Sequence, residues 1–235
     1  MVEDDVLLLA GNLAYVSGEV AEGWRKDVVN SILFSQLYAN SQVDRFADSQ
    51  QWFKYYAGAM GRLKWKGGGY RFVSVGLDEC VSFDLNNLIQ VKLGSLVDLP
   101  QVKHFERLMY SVRQEFAVEV IASSTGNAAI FRQTEEKAST VSTVVLNVSL
   151  VGAGPAIYSV FVCFKTRQRV ESDIFNQTFR SEFLLGEFGI GYSKFVLNKA
   201  DYEKGGVRQK VLDSLPADTA PFVRDITPGC KNPLR

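Results

Sequence analysis

Apolar residues recur at helical spacing in the first half of the chain. From Trp24 to Asn40 they form a stripe that predicts an amphipathic helix. The polar run Asp48 to Gln51 has the chemistry of a helix N-cap and predicts the start of a second helix. The apolar face of that helix is wide and carries Trp52, Phe53, Tyr56, Ala59, Met60 and Leu63.

The glycine run Gly67 to Gly69 predicts the end of the second helix, and Tyr70 to Val75 predicts a short strand. Two more helices are predicted at about Leu77 to Val97 and Val102 to Phe116, with Pro100 between them. The first half is therefore expected to be mostly helical.

In the second half of the chain, apolar residues recur at every second position. Val144, Leu146, Val148 and Leu150 alternate with their neighbours, a pattern typical of a half-buried strand. Turn residues from Gly152 to Pro155 separate it from the apolar run Ala156 to Thr166, which predicts a β-hairpin. The segment 173–183 is also interpreted as a strand, and a last helix is expected from about Asp201 to Leu215.

These elements predict a single α+β domain over residues 1–235. We expect it to be mostly helical over 20–118 and mostly β over 127–198, with a C-terminal helix at about 201–215. The N-terminal helices are expected to pack on a mainly antiparallel C-terminal sheet in one compact unit. Aromatic residues make up 12% of the chain and include 16 Phe, which favours a Phe-rich core or an aromatic-lined hydrophobic cavity.

Charge narrows the choice of partners. Lys plus Arg and Asp plus Glu both number 26, so the formal net charge is zero and no basic excess draws the chain to nucleic acid. The acidic start Met1 to Asp5 and the short apolar run Val6 to Ala10 do not fit a Sec signal peptide. We expect a cytoplasmic protein in the producing cell, or one released by non-classical export.

The residues that carry chemistry are few. His104 is the only histidine, and the three cysteines show no CxxC spacing, so we predict neither a metal site nor a thioredoxin-like site. Gly67 to Gly69 and the set Gly186, Gly189 and Gly191 lack the pattern of a nucleotide loop and are expected in turns and bends. His104 is expected on a partly exposed helix flank.

Cys163 lies within the predicted strand from Ala156 to Thr166. It is either an inert core residue or a nucleophile that faces an apolar cavity, and the residues alone leave both open. Lys165 shares its predicted face and would lower the thiol pKa if the ammonium turned inward. Cys80, on a predicted helix, and Cys230, in a predicted flexible tail, are weaker candidates.

Several segments follow a recurrent bacterial pattern. They are Ser31 to Ala39, Gln51 to Tyr56, Met60 to Trp65, the strand around Tyr158 to Lys165, and Phe195 to Asn198 before the last helix. Between about Val28 and Ile226 the chain resembles the Erwinia virulence factor and its relatives, which occur in insect-associated bacteria.

The resemblance implies an α/β protein that carries palmitate as a thioester on a cysteine in a hydrophobic cavity. It also implies persistence in, or toxicity to, an insect host. Only Cys163 matches the position of that cysteine, and no enzymatic signature or catalytic residue carries over. We therefore expect a non-enzymatic virulence or gut-colonisation factor, acylated at Cys163, with Phe161, Trp52 and Tyr56 lining the lipid pocket and with a host membrane as a further partner.

Two other functions stay open. A pore-forming or membrane-active insecticidal toxin would insert the hairpin formed by Val141 to Val151 and Ile157 to Lys165. A cysteine acyltransferase or thioesterase would use Cys163 as nucleophile and His104 as base.

Overall fold

A computed structural model describes residues 3–76, 82–95, 99–126, 129–136 and 139–229. Its helices are α1 (Glu22–Gln42), α2 (Ser49–Arg62), α3 (Leu85–Gly94), α4 (Leu99–Val112), α5 (Glu115–Ser123), α6 (Lys199–Lys204) and α7 (Val207–Ser214). Its strands are β1 (Asp5–Leu9), β2 (Asn12–Val16), β3 (Trp65–Val75), β4 (Ser82–Asp84), β5 (Phe131–Glu136), β6 (Ser139–Gly152), β7 (Ala156–Thr166), β8 (Thr178–Arg180), β9 (Leu184–Leu197) and β10 (Val223–Asp225). Short 3-10 helices occupy Ser181–Phe183 and Ala220–Phe222.

One large sheet runs through the middle of the molecule, with strand order β10-β1-β2-β6-β7-β9-β3 and with β5 also paired to β6. The predicted hairpin is confirmed, since β6 and β7 pair antiparallel with Gly152 opposite Ala156. Strand β2 pairs parallel with β6, whereas the other described pairs of this sheet are antiparallel. The sheet is thus mainly antiparallel, as predicted, but it takes strands from both halves of the chain.

Helices cover both faces of this sheet. Along β6, alternate residues such as Leu146 and Val148 join a core with helices α3, α4 and α5, and we call this side the α4 face. The intervening residues, such as Val145 and Val151, join a second core with α1, α2, α6 and α7, and we call that side the α2 face. The expected α+β fold in one compact unit is confirmed, and the helices lie on both sides of the sheet.

The first two helices follow their sequence signals. The Asp48 side chain caps α2 by accepting a hydrogen bond of 2.9 Å from the backbone N–H of Gln51. Helix α2 ends at Arg62, and Lys64 takes a left-handed φ of +68° that turns the chain into β3. The glycine run 67–69 therefore lies inside β3 and does not end the helix.

Three predicted elements need correction. The last helix is broken into α6 and α7 at Gly205 and Gly206, where Gly206 has a φ of +59°. In the segment 173–183 only β8 is extended, because the Asp173 side chain accepts hydrogen bonds from Asn176 and forms a turn. The helix predicted over 77–97 is β4 followed by α3, and residues 77–81 and 96–97 of that range, Cys80 included, lie outside the described residues.

Candidate functional site around Cys163

Cys163 lies near the end of β7, and its side chain points to the α2 face of the sheet. It pairs with Val145 on β6 and with Gly189 on β9. A Cβ atom on Gly189 would overlap the Cys163 sulfur and would lie 2.6 Å from Cζ of Phe72. The glycine therefore creates the space that the thiol occupies.

A surface depression of about 310 Å³ opens beside the thiol. Its lining is mixed: apolar side chains come from the loop before α2 and from β7 and β9, and polar side chains come from β6, β7, β9 and the start of α2. These residues are Phe46, Ala47, Ser49, Thr143, Cys163, Phe164, Lys165, Leu185 and Glu187. Cys163 is 9% exposed, and it is one of the residues that line this depression.

The environment holds Cys163 in its protonated form. Burial raises the pKa of the Cys163 thiol to about 11, and a nearby Asp48 carboxylate adds to the rise, while hydrogen bonds from Ser49 and the Gly189 backbone act in the opposite direction. Lys165 is exposed and is not among the groups that shift the thiol pKa. A thiol in this state is a poor nucleophile until something removes its proton.

The three predicted pocket residues lie on the same side of the sheet as Cys163. Trp52 stacks on Phe161 with ring centroids 5.4 Å apart and on Tyr56 with centroids 5.6 Å apart. Phe53 also stacks on Phe161, with ring centroids 5.0 Å apart, and Gly191 leaves room for its ring. All three predicted residues are fully buried and fill the space between α2 and the sheet with one another, and none of them lines the depression.

His104 is on the other face of the sheet. It lies on α4, is 6% exposed, and stacks on Tyr15 with ring centroids 4.9 Å apart. Tyr15 belongs to the core of the α4 face, whereas Cys163 belongs to that of the α2 face, so the sheet separates the two residues. The predicted exposure of His104 is wrong, and the structure does not bring the histidine to the thiol.

A row of hydroxyls crosses the sheet on the α2 face, and the sequence interpretation missed it. Ser149, Ser159 and Ser193 lie opposite one another on β6, β7 and β9. Ser149 and Ser159 are 2.9 Å apart, and Asn12 donates to Ser149 at 3.1 Å. The signal was present in the sequence, because polar residues alternate with apolar ones along β6 and β7.

Neither a metal site nor a membrane-spanning helix appears in the part of the chain that the structure describes. No group of three or more His, Cys, Asp or Glu side chains is arranged to hold a metal ion there. No helix of those residues is both long enough and apolar enough to cross a bilayer.

Comparison with known proteins gives distant structural likenesses only. No protein-family model matches the chain, and no curated protein matches it. The activated Cyt2Ba monomer from Bacillus thuringiensis subsp. israelensis is similar at 10% identity and a TM-score of 0.43, over 80% of this chain and 97% of that one. The Evf virulence factor is similar at 10% identity and a TM-score of 0.30, over 90% of this chain and 81% of that one. At these values neither likeness assigns the chain to a family.

Proposed function

We propose that this chain is a non-enzymatic bacterial virulence or insect-gut colonisation factor that carries a fatty acyl chain, palmitate, as a thioester on Cys163. The observation that carries the proposal is the position of the Cys163 sulfur, which is otherwise buried, at the edge of the 310 Å³ depression. The sequence pattern from Ser31 to Trp65 and around Cys163 supports the same assignment.

Acylation here is a transfer between thiols. The acyl carbon of a thioester donor forms a bond to the Cys163 sulfur, the donor's own carbon–sulfur bond breaks, and the thiol proton ends on the donor's sulfur. Since burial raises the thiol pKa to about 11, a base has to assist the deprotonation. The protein is the substrate of this acylation, and it does not pass the acyl group on in a catalytic cycle.

The acyl chain would leave the sulfur through the depression, along Phe46 and Leu185. The neighbouring aromatic cluster of Trp52, Tyr56 and Phe161 is already filled by its own side chains, so entry there requires those rings to move. Each buried CH₂ group contributes about 0.8 kcal/mol of transfer free energy. One acyl chain alone gives weak membrane anchoring, and the zero net charge adds no electrostatic attraction, so membrane association is weak or regulated.

The test is the intact mass of the protein purified from its bacterial producer. We expect the wild type to carry the mass of one palmitoyl group that neutral hydroxylamine removes, as a thioester requires. Cys163→Ser should lack this mass, whereas the matched variants Cys80→Ser and Cys230→Ser should keep it. Absence of an acyl mass from the wild type, or its survival in Cys163→Ser, rules out the assignment.

A second candidate function, a membrane-active insecticidal toxin, is favoured by a different observation. Strands β6 and β7 have 14 and 11 residues, and about 9–11 residues span a bilayer as a tilted strand. Their α4 face is apolar from Val144 to Leu150 and from Ala156 to Phe164, with Ser142 and Thr166 at its end, while their α2 face carries the hydroxyl row among apolar side chains. A hairpin with one apolar face and hydroxyl groups on the other is suited to a lipid boundary once its helices move away.

Dye release from liposomes separates the two functions. Leakage caused equally by wild type and Cys163→Ala would support insertion of the β6–β7 hairpin, because the hairpin needs no acyl chain. Leakage that requires Cys163 would support the acyl anchor. If neither protein releases dye at any pH or lipid composition, the toxin candidate fails and the acylation proposal is judged by mass alone.

A further inference from the structure

Arg45 is a buried arginine in the loop between α1 and α2. It is 3% exposed, and its guanidinium lies against Gly11 in the turn between β1 and β2. Nη1 donates a hydrogen bond of 3.2 Å to the carbonyl oxygen of Ala10. Nε and Nη2 are also buried, and neither has a hydrogen-bond partner among the described residues.

The turn is built to admit this side chain. Gly11 has a φ of +85°, which favours glycine, and a Cβ atom there would overlap the guanidinium nitrogens. Ala10 before it also takes a left-handed φ, of +47°. The close approach of Arg45 to this turn is therefore a specific feature of the fold.

No carboxylate of the described residues neutralises Arg45. Its neighbour Asp44 is bonded to Arg132 at 2.5 Å, and the cations of Arg132 and Arg45 lie 4.3 and 5.1 Å from the centre of the Phe46 ring. Burial, and then the nearby charge of Arg132, lowers the pKa of Arg45 to about 10. Arg45 is thus a buried cation, whereas the nearest carboxylate is half-exposed and already paired with Arg132, and a buried cation in this state is unfavourable unless another anion is bound.

Another arginine of the same chain indicates which kind of partner the Arg45 guanidinium would bind. Nε and Nη2 of Arg208 both bond to the buried carboxylate of Asp27, with Nε 2.8 Å from Oδ1 and Nη2 2.5 Å from Oδ2. These two nitrogens form one edge of the guanidinium, the edge that matches the two oxygens of a carboxylate or phosphate. In Arg45 the same edge is the one without a partner.

We infer that the Nε–Nη2 edge of Arg45 is a binding site for one oxyanion, the carboxylate or phosphate group of a ligand. Phe46 and Ala47, the next residues of the loop, line the Cys163 depression. The inference does not depend on acylation of Cys163.

Thermal unfolding in matched salts tests the site. We expect sodium phosphate or sodium acetate to raise the Tm of the wild type saturably above sodium chloride of equal ionic strength. Arg45→Met removes the guanidinium but keeps a side chain of similar length. The Tm of this variant should therefore no longer depend on anion concentration. Arg208→Met is the control, because the guanidinium of Arg208 is already paired with Asp27. This variant should melt at a lower temperature than wild type and keep the full response of its Tm to the anion.

A second measurement uses the wild type and does not need a folded variant. The arginine Nε–H resonances are followed by ¹H–¹⁵N spectroscopy during the same titrations, and one buried resonance should shift with the half-saturation concentration seen by Tm. A response to phosphate alone identifies a phosphate ligand, and a response to acetate alone identifies a carboxylate. Equal effects of the three salts, or an anion response that persists in Arg45→Met, would overturn the inference.

Discussion

At the scale of single residues, the thiol site depends on a missing side chain. Gly189 faces Cys163 across the β7–β9 pair, and the ring of Phe72 closes over the same position. Both neighbours are held by packing in the sheet, so neither can move away at low cost. The size of residue 189 therefore controls whether the thiol keeps its place at the edge of the depression.

Gly189→Ala should destabilise the protein by about 1–3 kcal/mol, because the added methyl group overlaps Sγ of Cys163 and a ring carbon of Phe72. Urea unfolding monitored by tryptophan fluorescence measures the change. Gly58→Ala is the matched control, since Gly58 lies inside α2 with no atom within 4 Å of the added methyl group. The control should be more stable than wild type by about 0.5–1 kcal/mol. Equal stabilities for wild type and Gly189→Ala would show that the strand shifts to accept the methyl group.

At the scale of elements, helix α4 is held to the sheet by a buried neutral imidazole. His104 stacks on Tyr15 of β2, and burial lowers the pKa of the imidazole below its ordinary value of 6.5. Asp4 and Glu19 oppose this shift, and Arg107 of the same helix adds to it. Because the unfolded chain binds the proton more readily than the folded protein, stability falls as the pH drops from about 6.5 towards the folded pKa.

His104→Gln should remove this part of the acid sensitivity. The variant is expected to be less stable than wild type at pH 8, because it loses the stacking on Tyr15, and the difference should shrink as the pH falls below 6.5. Asp4, whose pKa is lowered in the folded protein, contributes its own loss of stability at more acid pH and does so in both proteins. Urea titrations from pH 8 to pH 4.5 measure the effect, and parallel curves for the two proteins would contradict it.

The elements that sequence reasoning found are those with long periodic patterns. Helices α1 and α2 carry apolar stripes, β6 alternates apolar and polar residues, and β7 is a long apolar run, each over 11 residues or more. Strands β1 and β2 have five residues each and carry no alternation of burial, and β9 contains Gly186, Gly189 and Gly191, which resemble turn residues in the sequence. Strands β1, β2 and β9 are stabilised by pairing with neighbouring strands, and the local pattern of apolar residues does not show this pairing.

At the scale of the whole molecule, the topology of the sheet determines which reactive side chains lie close together. The sequence identified Cys163 and His104, but their placement on opposite faces follows from strand pairing that no local signal encodes. Trp52, Tyr56 and Phe161 lie on the same face of the sheet as Cys163. The sequence could predict this, because Trp52 and Tyr56 share the apolar face of α2 and Phe161 is two residues from Cys163 on β7. Arg45 was missed because an arginine in a short loop is ordinarily exposed.

The parallel pair β2–β6 also sets the order in which the chain can fold during synthesis. Asn12 bonds to Ser149, 137 residues later, and Val6 bonds to Thr227, 221 residues later. At about 5–20 residues per second, a ribosome needs roughly 7–27 s to make the first of these partners after β2 emerges. Until then both edges of the β1–β2 hairpin have free hydrogen-bonding groups, which readily pair with other chains. The first strands of a nascent chain therefore stay unpaired on both edges until β6 has been made, and we expect a fragment truncated before β6 to aggregate more readily than the full chain.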